Sequence, residues 1–199
     1  MRRRRGRGTA RSLPRRRRPR AARARSMPAA VPCRMPPRTR VASFDLDHTA
    51  VRAPYVRLAG RYLGERGDVV TKFDLRLVQP NAQEIPTAPL HTIEHLLAGY
   101  LRDHLAGAQL VDASPMGCRT GFYLTVLGEP PEEAVRVASE RALAAVRDHE
   151  GEIPGCSPER CGNWRDHSLP GAKAWVGEVV AKGFIVQETV LLEDAAGAD

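Results

Sequence analysis

The sequence predicts an α+β fold: an antiparallel β-sheet packed by helices in a two-layer sandwich. Three observations predict it. Residues 54–79 read as a hairpin, two further strand-like segments flank a short loop at 115–118, and three helical segments separate or follow these strand pairs. Strand pairs interrupted by helices suit such a layer better than a regular parallel βαβ repeat.

The elements follow in chain order. "VASFDLDH" (41–48) alternates enough to start a strand. "PYVRLAGRYLG" (54–64) has two readings, because Val56, Leu58 and Tyr62 suit a strand while Leu58, Tyr62 and Leu63 suit a helix. Glu65-Arg66-Gly67-Asp68 is a turn signal. In "VVTKFDLRLVQPN" (69–81), Phe73, Leu75 and Leu77 alternate with Lys72, Asp74 and Arg76, which is a strand ended by Pro80. Thr87 can cap a helix from about 89 to 106, with Pro89 in its first turn and Gly107 past its end. "AQLVDAS" (108–114) and "TGFYLTVLG" (120–128) are strands around the loop Pro115-Met116-Gly117-Cys118. Pro130-Pro131 open a helix to about 149, 151–164 is a loop, 170–182 is helical, and "FIVQETVLL" (184–192) ends the fold as a strand.

The net charge of +8 hints at a nucleic-acid partner, but the charge is unevenly placed. Residues 1–40 hold 16 of the 31 basic residues, all Arg, and no acid, which leaves 15 basic against 23 acidic residues in 41–199. The body is therefore acidic, and this removes most of the case for a nucleic-acid-binding domain. The first 40 residues have almost no large apolar side chains and no period, so an Arg-rich, disordered extension is expected there. It can be a charged arm for RNA or a membrane surface, or a targeting segment that lacks the apolar run of a secretory signal. The favoured reading is a start codon assigned too far upstream, with Met27 or Met35 as the true start. The domain expected is 41–199, with no membrane span, because no run of about 18 apolar residues exists. Cys33, Cys118, Cys156 and Cys161 read as thiols or ligands rather than as a disulfide framework.

The chemistry starts in "HTIEHLL" (91–97). On a helix His91 and His95 are one turn apart on one face with Glu94 beside them, while Ile93, Leu96, Leu97 and Tyr100 fall on the opposite arc. Two such histidines can hold one divalent metal, and a carboxylate that is not a ligand can move protons. The plain alternative is a polar helix face with chance histidines. The motif also suits an inverzincin metallopeptidase, where His-x-x-Glu-His carries zinc and a general base. A metal site needs a third protein ligand, for which Cys118, Cys156, Cys161, His48, His104, His149, His167 and acidic residues are candidates. A thiolate ligand would admit zinc or ferrous iron.

From residue 41 the chain resembles the LuxS family, the S-ribosylhomocysteine lyases. The resemblance is carried by "LDHTAVRAPYVR" (46–57), "KFDLRLVQPN" (72–81), "LHTIEHLLAGYLRDH" (90–104), "DASPMGCRTGFYLTVLGEP" (112–130) and "RCGNWRDHSLPGAK" (160–173), in family order across 41–182. It implies that His91, His95 and Cys161 are metal ligands and that Glu94 and Cys118 are the catalytic acid/base pair. It implies substrate-binding or supporting roles for Ser43, His48, Arg76 and Asp112, with Phe44 and Arg57 in the same region. Cys156 has no family counterpart.

The resemblance further implies cleavage of S-ribosylhomocysteine to homocysteine and 4,5-dihydroxy-2,3-pentanedione, the precursor of autoinducer-2. The sugar carbonyl would migrate by proton transfers, and β-elimination would expel the thiolate. One divalent metal per subunit is expected, ferrous iron in the cell with zinc or cobalt as substitutes. Cys118 would act as a thiolate, favoured by Arg119, another positive group or the metal. The family's homodimer, with sites at the interface, implies that the strand bearing Ser43 and His48 reaches the partner's metal. A cytoplasmic location is expected, and contact with nucleic acid only non-specifically, through the tail.

Overall fold

The antiparallel strands sort their side chains onto two unlike faces. In the computed structural model, which describes residues 42–192, β1 (Tyr55–Leu63) and β2 (Val69–Arg76) form the expected hairpin. The strand reading of 54–64 prevails because Val56 pairs opposite Leu75, so both enter one core. β3 (Gln109–Pro115) and β4 (Gly121–Leu127) form a second antiparallel pair, and β4 docks on β2 with Phe122 opposite Leu75 and Leu124 opposite Phe73. The sheet order is β3-β4-β2-β1-β5.

Three helices cover the apolar face. α1 (Thr87–His104) buries Leu90, Ile93, Leu96, Leu97 and Leu101. α2 (Glu132–Asp148) buries Val135, Ala138, Ala142, Leu143 and Val146, and α3 (Leu169–Lys182) buries Ala172, Val176 and Val179. These side chains join Val56, Phe73, Leu75, Phe122, Leu124 and Val126 in one core between sheet and helices, the two layers expected. The opposite face is polar. It carries Tyr55 opposite Arg76, Arg57 opposite Asp74, Asp74 opposite Tyr123, and Asp112 opposite Thr125.

Four details depart from the sequence reading. Residues 41–48 supply no strand among the described residues. Ala42–Phe44 make one 3-10 turn, and Leu46 forms only an isolated bridge to Leu191. The carboxy-terminal strand shrinks to β5 (Ile185–Val186), which pairs parallel to β1 and makes the sheet mixed rather than purely antiparallel. Thr87 is the first helical residue and does not cap α1, whose N-cap is Pro86. α1 also stops at His104, before Gly107 turns the chain at a φ of 76°. The extension at 1–40, the start-codon reading and residues 193–199 lie outside the described residues.

The two terminal segments lie over the polar face. Asp47 N–H donates to Val190 O at 2.8 Å and Leu192 N–H to Asp45 O at 2.8 Å. Leu46 and Val51 make a small second apolar cluster with Tyr55. At the head of β4, Gly121 sits so close to β2 that a Cβ there would overlap the Leu75 carbonyl oxygen and lie 2.9 Å from Arg76 Cα. Backbone cannot retreat as a flexible side chain can. Gly121→Ala is therefore expected to cost about 1–3 kcal/mol, read as a lower urea midpoint; an unchanged midpoint would contradict this close approach.

Candidate functional site

α1 carries the first half of the site. Its apolar stripe faces the core, so His91, Glu94 and His95 are left half-buried along its flank. Gly155 (φ 73°) helps turn the 151–168 segment over this flank. Cys161 N–H donates to Ser157 O at 2.9 Å, Asp166 N–H to Asn163 O at 3.0 Å, and Ser168 caps α3 by accepting from Gly171 N–H at 3.2 Å. The result brings His91, His95, Cys161 and His167 together, with one possible ligand atom from each within 4.8 Å of all the others. Cys161 Sγ is 3.4 Å from His91 Nε2 and 3.9 Å from His167 Nε2.

Hydrogen bonds choose the tautomers. His91 Nδ1 lies 3.0 Å from Asp166 O, and His95 Nδ1 lies 2.7 Å from Pro154 O. A carbonyl only accepts, so both rings carry the proton on Nδ1 and leave the Nε2 lone pair free. Such carbonyl partners orient metal-binding imidazoles. Soft sulfur and imidazole nitrogen suit zinc or ferrous iron, so the donor set fits a divalent metal on chemical grounds. Glu94 adjoins the cluster, and among the described residues no hydrogen bond or ion pair engages its carboxylate. Cys161 and His167, not a carboxylate, complete the cluster, which departs from the glutamate ligand of the inverzincin pattern.

A second set forms at the β3–β4 turn. Cys118 is exposed at its tip, in a turn closed by Met116 N–H to Gly121 O at 2.9 Å and Arg119 N–H to Met116 O at 2.8 Å. Cys118 Sγ is 3.0 Å from Thr120 Oγ1 and 3.9 Å from Arg76 Nη1. The positive group beside the thiol is therefore Arg76, while Arg119 turns to Glu84 at 3.5 Å. His48, Arg76, Cys118 and Thr120 share a cavity of about 330 Å3. Of the other expected residues, Asp112 is exposed on β3 and accepts from the Ser114 hydroxyl, and Ser43 lies in the 3-10 turn, outside that cavity. Cys156 donates to Trp164 O at 3.3 Å, a loop contact rather than a place in the cluster.

Arg76 is held by a buried charge network. Asp74 accepts from Arg76 Nε at 3.1 Å and Nη2 at 2.8 Å, from Arg57 Nη2 at 3.2 Å and from the Tyr55 hydroxyl at 3.1 Å. Burial opposes the charge on Arg76, but the hydrogen bonds and field of Asp74 outweigh it and raise its pKa. Burial, then the charge of Asp74, raises Tyr55 well above the ordinary phenol value, so it remains a donor. Two cations share one anion, and of the two it is Arg76 that reaches the Cys118 thiol, through Nη1.

His167 was one of several third-ligand candidates in the sequence, with nothing to single it out. Its partners, Thr92 and the His91 ring, are about 75 residues away in the chain.

This architecture defines a class: an α+β protein with a His/Cys site suited to a divalent metal and, separately, a thiol beside a buried guanidinium. The sequence profile of the family described as S-Ribosylhomocysteinase (LuxS) matches residues 41–190, and the chain belongs to that family. It is 62% identical over 153 residues to an S-ribosylhomocysteine lyase of Thermus thermophilus, covering 77% of this chain and 97% of the relative. It is 55% identical over 159 residues to one of Deinococcus radiodurans (80% and 99%) and 53% identical over 147 residues to one of Lactobacillus johnsonii (73% and 92%).

Proposed function

We propose that the protein cleaves S-ribosylhomocysteine to homocysteine and 4,5-dihydroxy-2,3-pentanedione, with a divalent metal held by His91, His95 and Cys161. The observation that carries this reading is the convergence of those three side chains beside an unengaged Glu94, in a chain of this family. Ferrous iron is the ion expected in the cell. When bound, it supplies Lewis-acid polarisation of the sugar carbonyl.

The chain's own groups handle the protons. Glu94, which makes no hydrogen bond or ion pair among the described residues, can take a proton from one sugar carbon and return it to the next as the carbonyl migrates. Cys118 serves as the second proton carrier, its Sγ 3.9 Å from Nη1 of the Arg76 guanidinium. Removal of the C4 proton then expels the homocysteine thiolate from C5, so no water attacks. His48 and Arg76 line the approach to Cys118 and bind the substrate there, with Ser43 and Asp112 as supporting contacts.

We place the complete site between two copies of the chain. In support, Cys118 and Arg76 lie at the polar face of the sheet, and the histidine cluster lies on the helical side. Among the described residues no hydrogen bond joins the two sets. The proposed homodimer brings the segment with Ser43 and His48 to the partner's metal. The product reading carries with it a role in autoinducer synthesis, and the location expected is the cytoplasm; among the described residues no helix is long and apolar enough to cross a membrane. The domain is 41–199, with the Arg-rich extension as a separate segment.

The test is homocysteine release from S-ribosylhomocysteine, read with a thiol reagent, with metal measured on the same sample. About one metal per chain and steady release are expected. Cys161→Ala should lose the metal and the activity together, since two imidazoles alone hold it poorly. Full metal in Cys161→Ala would remove Cys161 as a ligand.

A further inference from the structure

His167 is the member of the cluster to which the proposed chemistry gives no task. Its orientation follows from Thr92, which is fully buried within "HTIEH". The Thr92 hydroxyl has one proton, donated to Ala88 O at 2.9 Å. Its oxygen accepts from Ser168 N–H at 2.9 Å. The remaining contact, 3.2 Å to His167 Nδ1, must then have the ring as donor. His167 therefore holds its proton on Nδ1 and directs a bare Nε2 toward the cluster, as His91 and His95 do.

Ring geometry separates His167 from His91 but not from His95, to which it lies 4.6 Å away and edge-on at 74°. Two imidazoles on one tetrahedral ion, each about 2.0–2.1 Å from it, place their centroids roughly 5 Å apart. His91 and His95 are 4.7 Å apart and edge-on at 82°. His91 and His167 are 3.9 Å apart and nearly parallel at 23°. A stacked pair leaves too small an angle at a shared ion. With His91 as a ligand, as proposed above, the stacked His167 braces its ring and would stand beside the ion rather than on it.

Its Nε2 is then an acceptor that needs a donor. Cys161 cannot provide one as a ligand thiolate. We propose that His167 Nε2 accepts a hydrogen bond from a hydroxyl of the bound polyol chain, next to the metal, and that Thr92 is the positioning residue that fixes this tautomer. This rests on the lyase reading above and adds a contact that selects a hydroxylated sugar chain.

The test uses the full-length protein loaded with cobalt(II). Three quantities are read: metal per chain, the visible cobalt spectrum, and the Kd for S-ribosylhomocysteine reduced to its unreactive ribitol form. His167→Phe keeps a stacking ring and removes the acceptor. It is expected to retain wild-type metal content and spectrum while Kd rises about ten- to a hundredfold. Thr92→Val should raise Kd in the same direction, with Thr92→Ser restoring it, and this pair decides the matter if His167→Phe does not fold. Loss of metal or a changed cobalt spectrum in His167→Phe would make His167 a ligand and overturn the proposal. An unchanged Kd in both His167→Phe and Thr92→Val would overturn it as well. Metal-loaded wild-type protein that releases no homocysteine would instead overturn the lyase reading, and this contact with it.

Discussion

Cys118→Ala is expected to keep its metal and to lose homocysteine release by about 10²–10⁴-fold, and Glu94→Gln to do the same. The separation of metal content from turnover follows from placement. Cys118 sits in the β3–β4 turn with Thr120 and Arg76 as its polar neighbours, and it makes no bond to His91, His95 or Cys161. Removing its sulfur leaves the donor set intact. Glu94 adjoins that set but is not one of the four converging donors, and Gln preserves its shape while ending its capacity to take a proton. In the proposed mechanism each step of carbonyl migration needs a proton removed from one carbon and delivered to another, so losing either proposed carrier would stall the sequence. Metal analysis and thiol-reagent kinetics on one preparation read both quantities. Near-normal release in either variant would remove that residue from the mechanism, and loss of metal would move it into the metal site.

The largest stability effect is expected at Asp74, not at the site itself. Asp74 and Arg76 are 0% and 1% exposed and Arg57 is 5% exposed, so the three charges are held out of water. A buried guanidinium is tolerated only with a partner, and Asp74 serves two of them. Arg57 Nε already lacks a hydrogen-bond partner, which leaves that side of the network with little reserve. Asp74→Asn retains the shape and removes the charge, leaving two buried cations unpaired, at an expected cost of about 3–5 kcal/mol in urea denaturation. A loss below about 1 kcal/mol would show that water reaches these groups. The same change should weaken catalysis beyond its effect on folding, because Arg76 would lose the contacts that aim it at Cys118.

Much of the fold was legible because its signals are local. The alternation of Phe73 and Leu75 with Lys72 and Asp74 announced β2, and Glu65-Arg66-Gly67-Asp68 announced the turn that makes the hairpin. The arc of Ile93, Leu96, Leu97 and Tyr100 marked the side of α1 that faces the core, with Tyr100 only half-buried, and by exclusion left His91 and His95 on a flank outside it. Signals that depend on distant partners were not legible. Whether 54–64 is strand or helix was settled by Leu75 across the hairpin. The segment at 41–48 alternates like a strand, yet it finds only Leu191 to bridge to. The parallel pairing of Ile185 and Val186 with β1 depends on where α3 delivers the chain.

The site divides in the same way. The sequence by itself determined the His91–Glu94–His95 constellation, because four residues make one helical turn and the spacing is the geometry. Through the family's ordered blocks it also singled out Cys161 and Cys118 as candidates. Only the tertiary structure decided that His167 joins the cluster, that Arg76 rather than Arg119 stands beside Cys118, and that Thr92 fixes a tautomer. The physical reason is common to all three. Hydrogen-bond direction, ring stacking and charge proximity are set by groups that meet across the fold, and a linear pattern carries the residue types without the distances between them.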